Sequence, residues 1–257
     1  MTNKQDNNDN PKCFIHKVLN KREQKIVDRE LELLNIAEKI ISHEGFSGLT
    51  MDKLVATCDY SKGTVYNHFA NKEDLYCALS IVNLRFCIAL TKRALDMDGT
   101  LREKCLGIYY AQQLQSRLRH TSSFCVLVAK TPAVRERASI GRLEIQEMLE
   151  QEITALIDNL LSTAIAAGDI SKRKKQHVDN LCFSLWSMSF GSNALLINAQ
   201  EAQAISRLEA EGALLFNINV LLDGMEWTPL SEKWDYTQSW QRIGEEVFSE
   251  ELATLIS

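Results

Sequence analysis

The chain has 257 residues, 45% of them apolar and 25% charged, and a net charge of −5 at pH 7. That length allows two domains with sizeable cores, while the acidic total excludes a general polyanion binder, so any contact with nucleic acid must come from a local surface. No apolar run reaches the roughly 18 residues of a membrane span, and the start from Met1 to Asn10 is polar where a secretion signal is apolar. The expectation is a cytoplasmic protein with no membrane partner.

Three prolines and eleven glycines are few for this length. Ala, Leu, Ile, Glu, Lys and Gln are frequent, which predicts an all-α fold. Seven cysteines form no C-x-x-C pair and sit mostly inside apolar helical patterns. They read as small buried hydrophobes of a reducing compartment, with a redox-sensing thiol left open and none singled out. The five histidines are scattered, and no G-x-S-x-G, Walker-type, G-x-G-x-x-G or H-E-x-x-H pattern occurs. No enzyme, cofactor or metal site is expected.

Residues 1–25 read as a disordered or basic N-terminal arm. The first 15 are rich in Asn, Asp and Lys, and the stretch from Phe14 to Lys25 is either a solvated tail or an arm that touches phosphates. Residues 17–29 carry Lys17, Lys21, Arg22, Lys25 and Arg29 against Glu23 and Asp28. From 27 to 43, Leu31, Leu34, Ile36, Ala37, Ile40 and Ile41 recur at three and four, giving one helix face before Gly45 stops it. Thr50 can cap a second helix over 51–58, with Asp52 in its first turn.

Ser61 then caps a short helix whose Val65 and Phe69 lie four apart on one buried face. Lys62, Thr64, Asn67 and His68 point elsewhere, as the side chains of a helix entering the major groove of DNA must. Asn71 caps the next helix, 72–95, with Glu73 and Asp74 in its first turn. Its seam is Leu75, Leu79, Val82, Phe86 and Leu90.

The run Ser61-Lys-Gly-Thr-Val-Tyr-Asn-His-Phe69, followed by Lys72 and Leu75, resembles the recognition helix of the TetR/AcrR family of transcriptional regulators. Thr50, Gly63, Thr64, Tyr66, His68 and Phe69 fall in register with that pattern. Two departures stand in the turn: Asp59 where the family has glycine at positive φ, and Tyr60 where it has a small aliphatic. The resemblance implies a three-helix DNA-binding domain with a helix-turn-helix over 26–72 and a larger helical regulatory and dimerisation domain over 73–257. Its DNA contacts would be Thr50, Lys62, Gly63, Thr64, Tyr66, Asn67, His68 and Lys72. Sequence choice would rest with Lys62, Thr64 and Asn67.

Beyond residue 100 the pattern reads as helices at 101–119, 122–129, 133–167, 173–198, 203–225 and 233–256. By resemblance, a homodimer pairs through 173–198 and 203–225, with Leu181, Leu185, Leu195, Leu208, Leu215 and Leu222 at the interface. A small-molecule effector pocket is implied in the same way, with Tyr109, Tyr110, Gln113, Arg117, Phe124, Trp186, Met188, Phe190 and Asn193 as candidate lining. The function implied is a repressor that binds a near-palindromic operator as a dimer and is released by a small molecule. An effector-independent activator or architectural protein of the same fold is the alternative. The segment after Trp227 is an addition to the family pattern, either core or dimer-edge packing or a lid over the cavity.

Overall fold

The computed structural model describes residues 20–208 and 210–256. The polar start, with Cys13, Phe14 and Lys17, lies outside them. Every regular element among the described residues is helical, and the chain forms two compact units: one up to Val82 together with Phe124–Leu143, the other from Asn83–Ser123 and the chain after Glu144.

The first unit is built on α1 (Lys21–Gly48), α2 (Met51–Thr57), α3 (Lys62–His68) and the first turns of α4 (Lys72–Asp96). Asn20 closes a capping box on α1: its side chain accepts from Arg22 and Glu23 N–H at 3.0 Å, and Glu23 returns the bond to Asn20. Residues 20–25, read from sequence as part of an arm, therefore belong to the first turns of α1, since such a cap satisfies amides that would otherwise fray. Leu33, Leu34, Ala37, Ile40 and Ile41 are its buried face. Gly45, at φ 72° and ψ 177°, breaks the helix in a conformation that other residues adopt only at a cost. Thr50, Ser61 and Asn71 accept from the amides of Lys53, Thr64 and Asp74 at 3.1, 3.2 and 2.8 Å, fixing the starts of α2, α3 and α4.

The turn between α2 and α3 departs from expectation. Glu226 is the non-glycine residue with positive φ among those described, so Asp59 does not adopt that conformation. Cys58 leaves α2 extended, at φ −102° and ψ 159°, with its N–H bonded to Leu54 O. The chain reverses without a left-handed residue, and Asp59 carries no steric penalty there.

The core of this unit also takes in Cys125, Ala129 and Val134. They come from α6 (His120–Val128), the turn after it and α7 (Pro132–Arg135). The helix expected over 133–167 is accordingly interrupted, and α8 (Ile140–Ala167) starts only after a loop. Long-range bonds hold that loop: Asn71 Nδ2 donates to Arg137 O at 2.9 Å, and Ser139 N to Asp74 Oδ1 at 3.0 Å. Ser139, a residue type that favours helix starts, stands directly before α8 and is the local cue to this break.

The second unit holds the later turns of α4 and α8, α5 (Leu101–Leu118), a 3-10 helix (Lys172–His177), α9 (Val178–Asn198), α10 (Gln203–Ser206), α11 (Ala210–Gly224), α12 (Tyr236–Val247) and α13 (Ser249–Ile256). The expected helix over 173–198 begins instead as the 3-10 segment, where four adjacent cations with no side-chain cap oppose an α-turn. The expected helices over 203–225 and 233–256 are each divided in two. Among the described residues α4 is the helix long and apolar enough to cross a membrane, but 78% of that window is buried inside the protein, as in a core helix.

The C-terminal segment is core. Trp227, Ile243 and Phe248 are fully buried. Tyr110 of α5 stacks on Phe248, with ring centroids 5.8 Å apart, and meets Trp240 at 4.8 Å. A Cβ at Gly244 would overlap the Tyr110 hydroxyl, so the approach of α12 to α5 requires glycine. Glu103 caps the start of α5 and also accepts from Ser239 Oγ at 2.8 Å and Arg242 Nη2 at 3.0 Å. Burial disfavours its charge, but these donors outweigh it and hold the carboxyl below its ordinary range. The six described cysteines form no disulfide among the described residues. Burial pushes Cys87 and Cys105 up to about 12 and Cys77 and Cys182 up to about 11, which leaves these thiols protonated and poor nucleophiles.

Candidate nucleic-acid interface

The short helix α3 has two faces with different fates. Val65 and Phe69 are fully buried against α1, α2 and α4 residues of the first unit's core, each contributing about 1.5–3 kcal/mol by leaving water. Seven residues of helix hold their place through that burial and the Ser61 cap rather than through propensity.

Six of the eight expected DNA contacts face solvent: Thr50, Lys62, Gly63, Tyr66, Asn67 and Lys72. Lys62 Nζ lies 3.0 Å from Asp52 Oδ1 and 5.6 Å from the centre of the Tyr66 ring. The bond to Asp52 raises the pKa of Lys62, so the ammonium stays charged and can exchange that exposed partner for a phosphate. Nothing lies nearer to a Cβ built on Gly63 than Ser61 Oγ at 4.0 Å, so the first turn of α3 presents bare backbone. Thr64 is half-buried, its hydroxyl 2.9 Å from Ser61 Oγ.

His68 corrects the sequence reading. Its side chain is only 7% exposed, with Nδ1 3.4 Å from Glu30 Oε2, so the ring packs inside the unit instead of facing a groove. The reason is helical phase: His68 falls nearer the Val65–Phe69 face than Asn67 does. Two residues were given no individual role in the sequence reading. Arg29 of α1 lies over the Tyr60 ring at 5.2 Å, which gives the unusual Tyr60 a packing partner at the turn. Arg142, from the first turn of α8, reaches Glu30, Asp74, the His68 carbonyl and the Phe69 ring. Arg29 was visible only as one cation of a basic stretch, and nothing local marks Arg142.

The candidate effector residues differ in burial and surroundings. Tyr110 is taken up by Trp240 and Phe248, Arg117 and Trp186 are exposed, and Phe124 belongs to the first unit. Gln113, Met188 and Phe190 are half-buried. Tyr109 and Asn193 are buried, and α4, α5 and α9 of the same unit carry further polar groups to which the sequence reading gave no role. Ser189 Oγ donates to Gln112, Asn193 Nδ2 to Ser189 O at 3.0 Å, and Gln115 Nε2 to Asn83 O at 3.3 Å. Asn83 Oδ1 and the Tyr109 hydroxyl have no hydrogen-bond partner among the described residues. Gln112, Gln115 and Ser189 could have been found, as Asn193 was, as polar residues set in apolar helix faces.

Of the candidate dimer residues, Leu185, Leu215 and Leu222 are buried within the chain's own core, and Leu181 is half-buried. Leu195 and Leu208 are exposed, and so are Phe183, Trp186, Phe216 and Val220, at 62, 45, 69 and 58%. Asn217 Nδ2 donates to Ser192 Oγ at 3.2 Å, which ties α11 to α9 beside that apolar surface.

Residues 33–79 match the profile of the bacterial regulatory proteins of the tetR family. The chain is 25% identical over 147 residues to the HTH-type transcriptional regulator YhgD of Bacillus subtilis, covering 56% of this chain and 73% of that one. In fold it resembles the putative regulatory protein SCO4313, with a TM-score of 0.61 at 18% identity over 79% of this chain and all of the other. It also resembles the transcriptional regulator FadR from Bacillus subtilis in complex with stearoyl-CoA, with a TM-score of 0.60 at 13% identity over 76% of this chain and 98% of the other.

Proposed function

We propose, starting from a chain that belongs to the tetR family of bacterial regulatory proteins, that it is a dimeric repressor whose α3 reads a near-palindromic operator and which a small molecule releases. One observation carries the reading: Lys62, Gly63, Tyr66 and Asn67 stand on the outer face of a capped helix whose inner face is fixed by buried Val65 and Phe69. Lys62, Lys72 and the Thr50 and Tyr66 hydroxyls have the chemistry for phosphates, and Asn67 has the amide for a base edge. One such head offers few base contacts, so useful specificity calls for two on one site.

The exposed Phe183, Trp186, Phe216 and Val220 support pairing through α9 and α11, a surface too apolar to be left to water. Phe216→Glu places a charge in that face twice across a two-fold axis, and each copy is expected to cost about 2 kcal/mol or more. The dimer dissociation constant should rise by roughly 10³-fold, read by analytical ultracentrifugation over a concentration series. An unchanged constant would remove this face from the interface.

The uncharged buried groups Asn83, Tyr109, Gln115, Ser189 and Asn193, with half-buried Gln112 bonded to Ser189, support a site for a neutral hydrogen-bonding effector in the second unit. The test of the whole reading is fluorescence anisotropy on DNA from upstream of the chain's own gene, with random DNA as control, across a salt series. Saturable binding at two chains per site, at least about 10³-fold tighter than the control, is expected. Equal binding to both DNAs over every upstream fragment would overturn it.

A further inference from the structure

Arg142 stands on the first turn of α8 with its side chain 17% exposed, and its guanidinium serves four partners. Nη1 lies 2.9 Å from Glu30 Oε1 of α1, and Nε lies 3.3 Å from Asp74 Oδ2 of α4. Nη2 donates to the His68 carbonyl at 2.9 Å, and the guanidinium carbon sits 5.0 Å from the centre of the Phe69 ring. The His68 carbonyl is one of those that a helix leaves without an internal partner, so α3 is capped at its C-terminal end by a residue 74 positions away. Burial opposes the charge, but Glu30 and Asp74 outweigh it, and the pKa is raised. A planar fork serves separate acceptors and an aromatic face at once, which a lysine ammonium cannot do.

The surrounding contacts run between the same two places. Arg137 Nη1 pairs with Glu73 at 3.2 Å, Asn71 donates to Arg137 O, and Ser139 N donates to Asp74. The turn before α8 is thus bonded to Asn71 and to the first turn of α4, which follow α3 in the chain. The later turns of α8 bury Leu160, Leu161, Ala164 and Ile165 in the core of the second unit.

We propose that Arg142 is the positioning residue of the recognition helix, fixing the C-terminal end of α3 from α8, so that operator binding and the state of α8 are linked through one guanidinium. This rests on the operator-binding reading of α3. Arg142 is too enclosed to touch DNA itself, and its effect must pass through His68 and Phe69.

The test uses the full chain as Arg142→Lys and Arg142→Gln, with Glu30→Gln loosening the same network from α1. Anisotropy is measured on the operator fragment and on random DNA across a salt series, and hydrogen exchange is measured with and without operator. Arg142→Lys is expected to lose about 10-fold or more of the ratio of operator to random affinity. Its random-DNA affinity and salt slope should be unchanged. In the wild type, operator should slow amide exchange in residues 144–156, and in Arg142→Lys that slowing should be lost. If Arg142→Gln does not fold, Arg142→Lys and Glu30→Gln carry the comparison.

An unchanged ratio in the folded variants overturns the proposal. So does a salt slope smaller by about two, one for each head, which would make Arg142 a phosphate contact. Wild-type protein that discriminates operator but shows no change in α8 exchange overturns the linkage while leaving the operator reading intact. Wild-type protein that does not discriminate overturns both.

Discussion

Tyr66→Ala is expected to lower operator affinity by roughly 10²-fold or more while leaving the fold and the dimer as they are. Tyr66 is 39% exposed on the outer face of α3, with the Lys62 ammonium 5.6 Å from its ring centre. The substitution removes a hydroxyl able to hold a phosphate and the aromatic surface over which Lys62 is posed. Each good contact to DNA is worth about 1–3 kcal/mol, and a two-headed protein loses it twice. Stability should move by no more than about 0.5 kcal/mol, because the side chain has no role in the core and alanine favours helix. Anisotropy on operator DNA reads the first effect, and ultracentrifugation with a urea melt reads the second. Wild-type operator affinity in a folded Tyr66→Ala dimer would remove α3 from the interface.

That prediction was available from sequence because most of what it needs is local. Ser61, Val65 and Phe69 set the cap and the buried face within nine residues, and the outward direction of Asn67 follows from helical period, whereas Tyr66 and His68 flank that face equally and only the fold separates exposed Tyr66 from enclosed His68. The same locality holds for Gly45, for Thr50 and for the capping bond of Asn71, which act on their own turn. What stayed hidden is non-local. Cys125, Ala129 and Val134 enter the first unit's core from more than 40 residues beyond α4's start, and their apolar spacing is that of any helix face. Arg142 reads as one more surface cation until the fold sets it behind Phe69. Leu185, Leu215 and Leu222 have the spacing of an interface, but spacing cannot distinguish a stripe that meets a second chain from one that meets its own core. The positive φ expected at Asp59 failed for the opposite reason. A family turn was carried over, and this chain leaves α2 by an extended Cys58 instead.

Arg102→Ala should be the most destabilising single change in the second unit, at about 3–5 kcal/mol. Arg102 is fully buried near the start of α5. It is paired with Asp223 Oδ1 at 2.7 Å, bonded to Asn219 Oδ1 at 3.1 Å and to the Trp227 carbonyl, and lies 4.4 Å from the Tyr236 ring centre. It therefore joins α5 to the end of α11, the loop that follows and the start of α12. Burial works against the charge of Asp223, but Ser231 and Arg102 hold its carboxyl below the usual range. Alanine leaves a cavity against Tyr236, an orphaned carbonyl at Trp227 and a carboxylate bonded only to Ser231. Because a protein of this kind has only about 5–15 kcal/mol in hand, the C-terminal helices should loosen first. Amide exchange in α12 and α13 should rise together with the drop in urea midpoint. Arg102→Met with Asp223→Asn should recover a good part of the loss, since an apolar side chain fills the space and no charge is left unpaired. A single variant within about 1 kcal/mol of wild type would mean that packing at Trp227, Ile243 and Phe248 holds the C-terminal helices without this network.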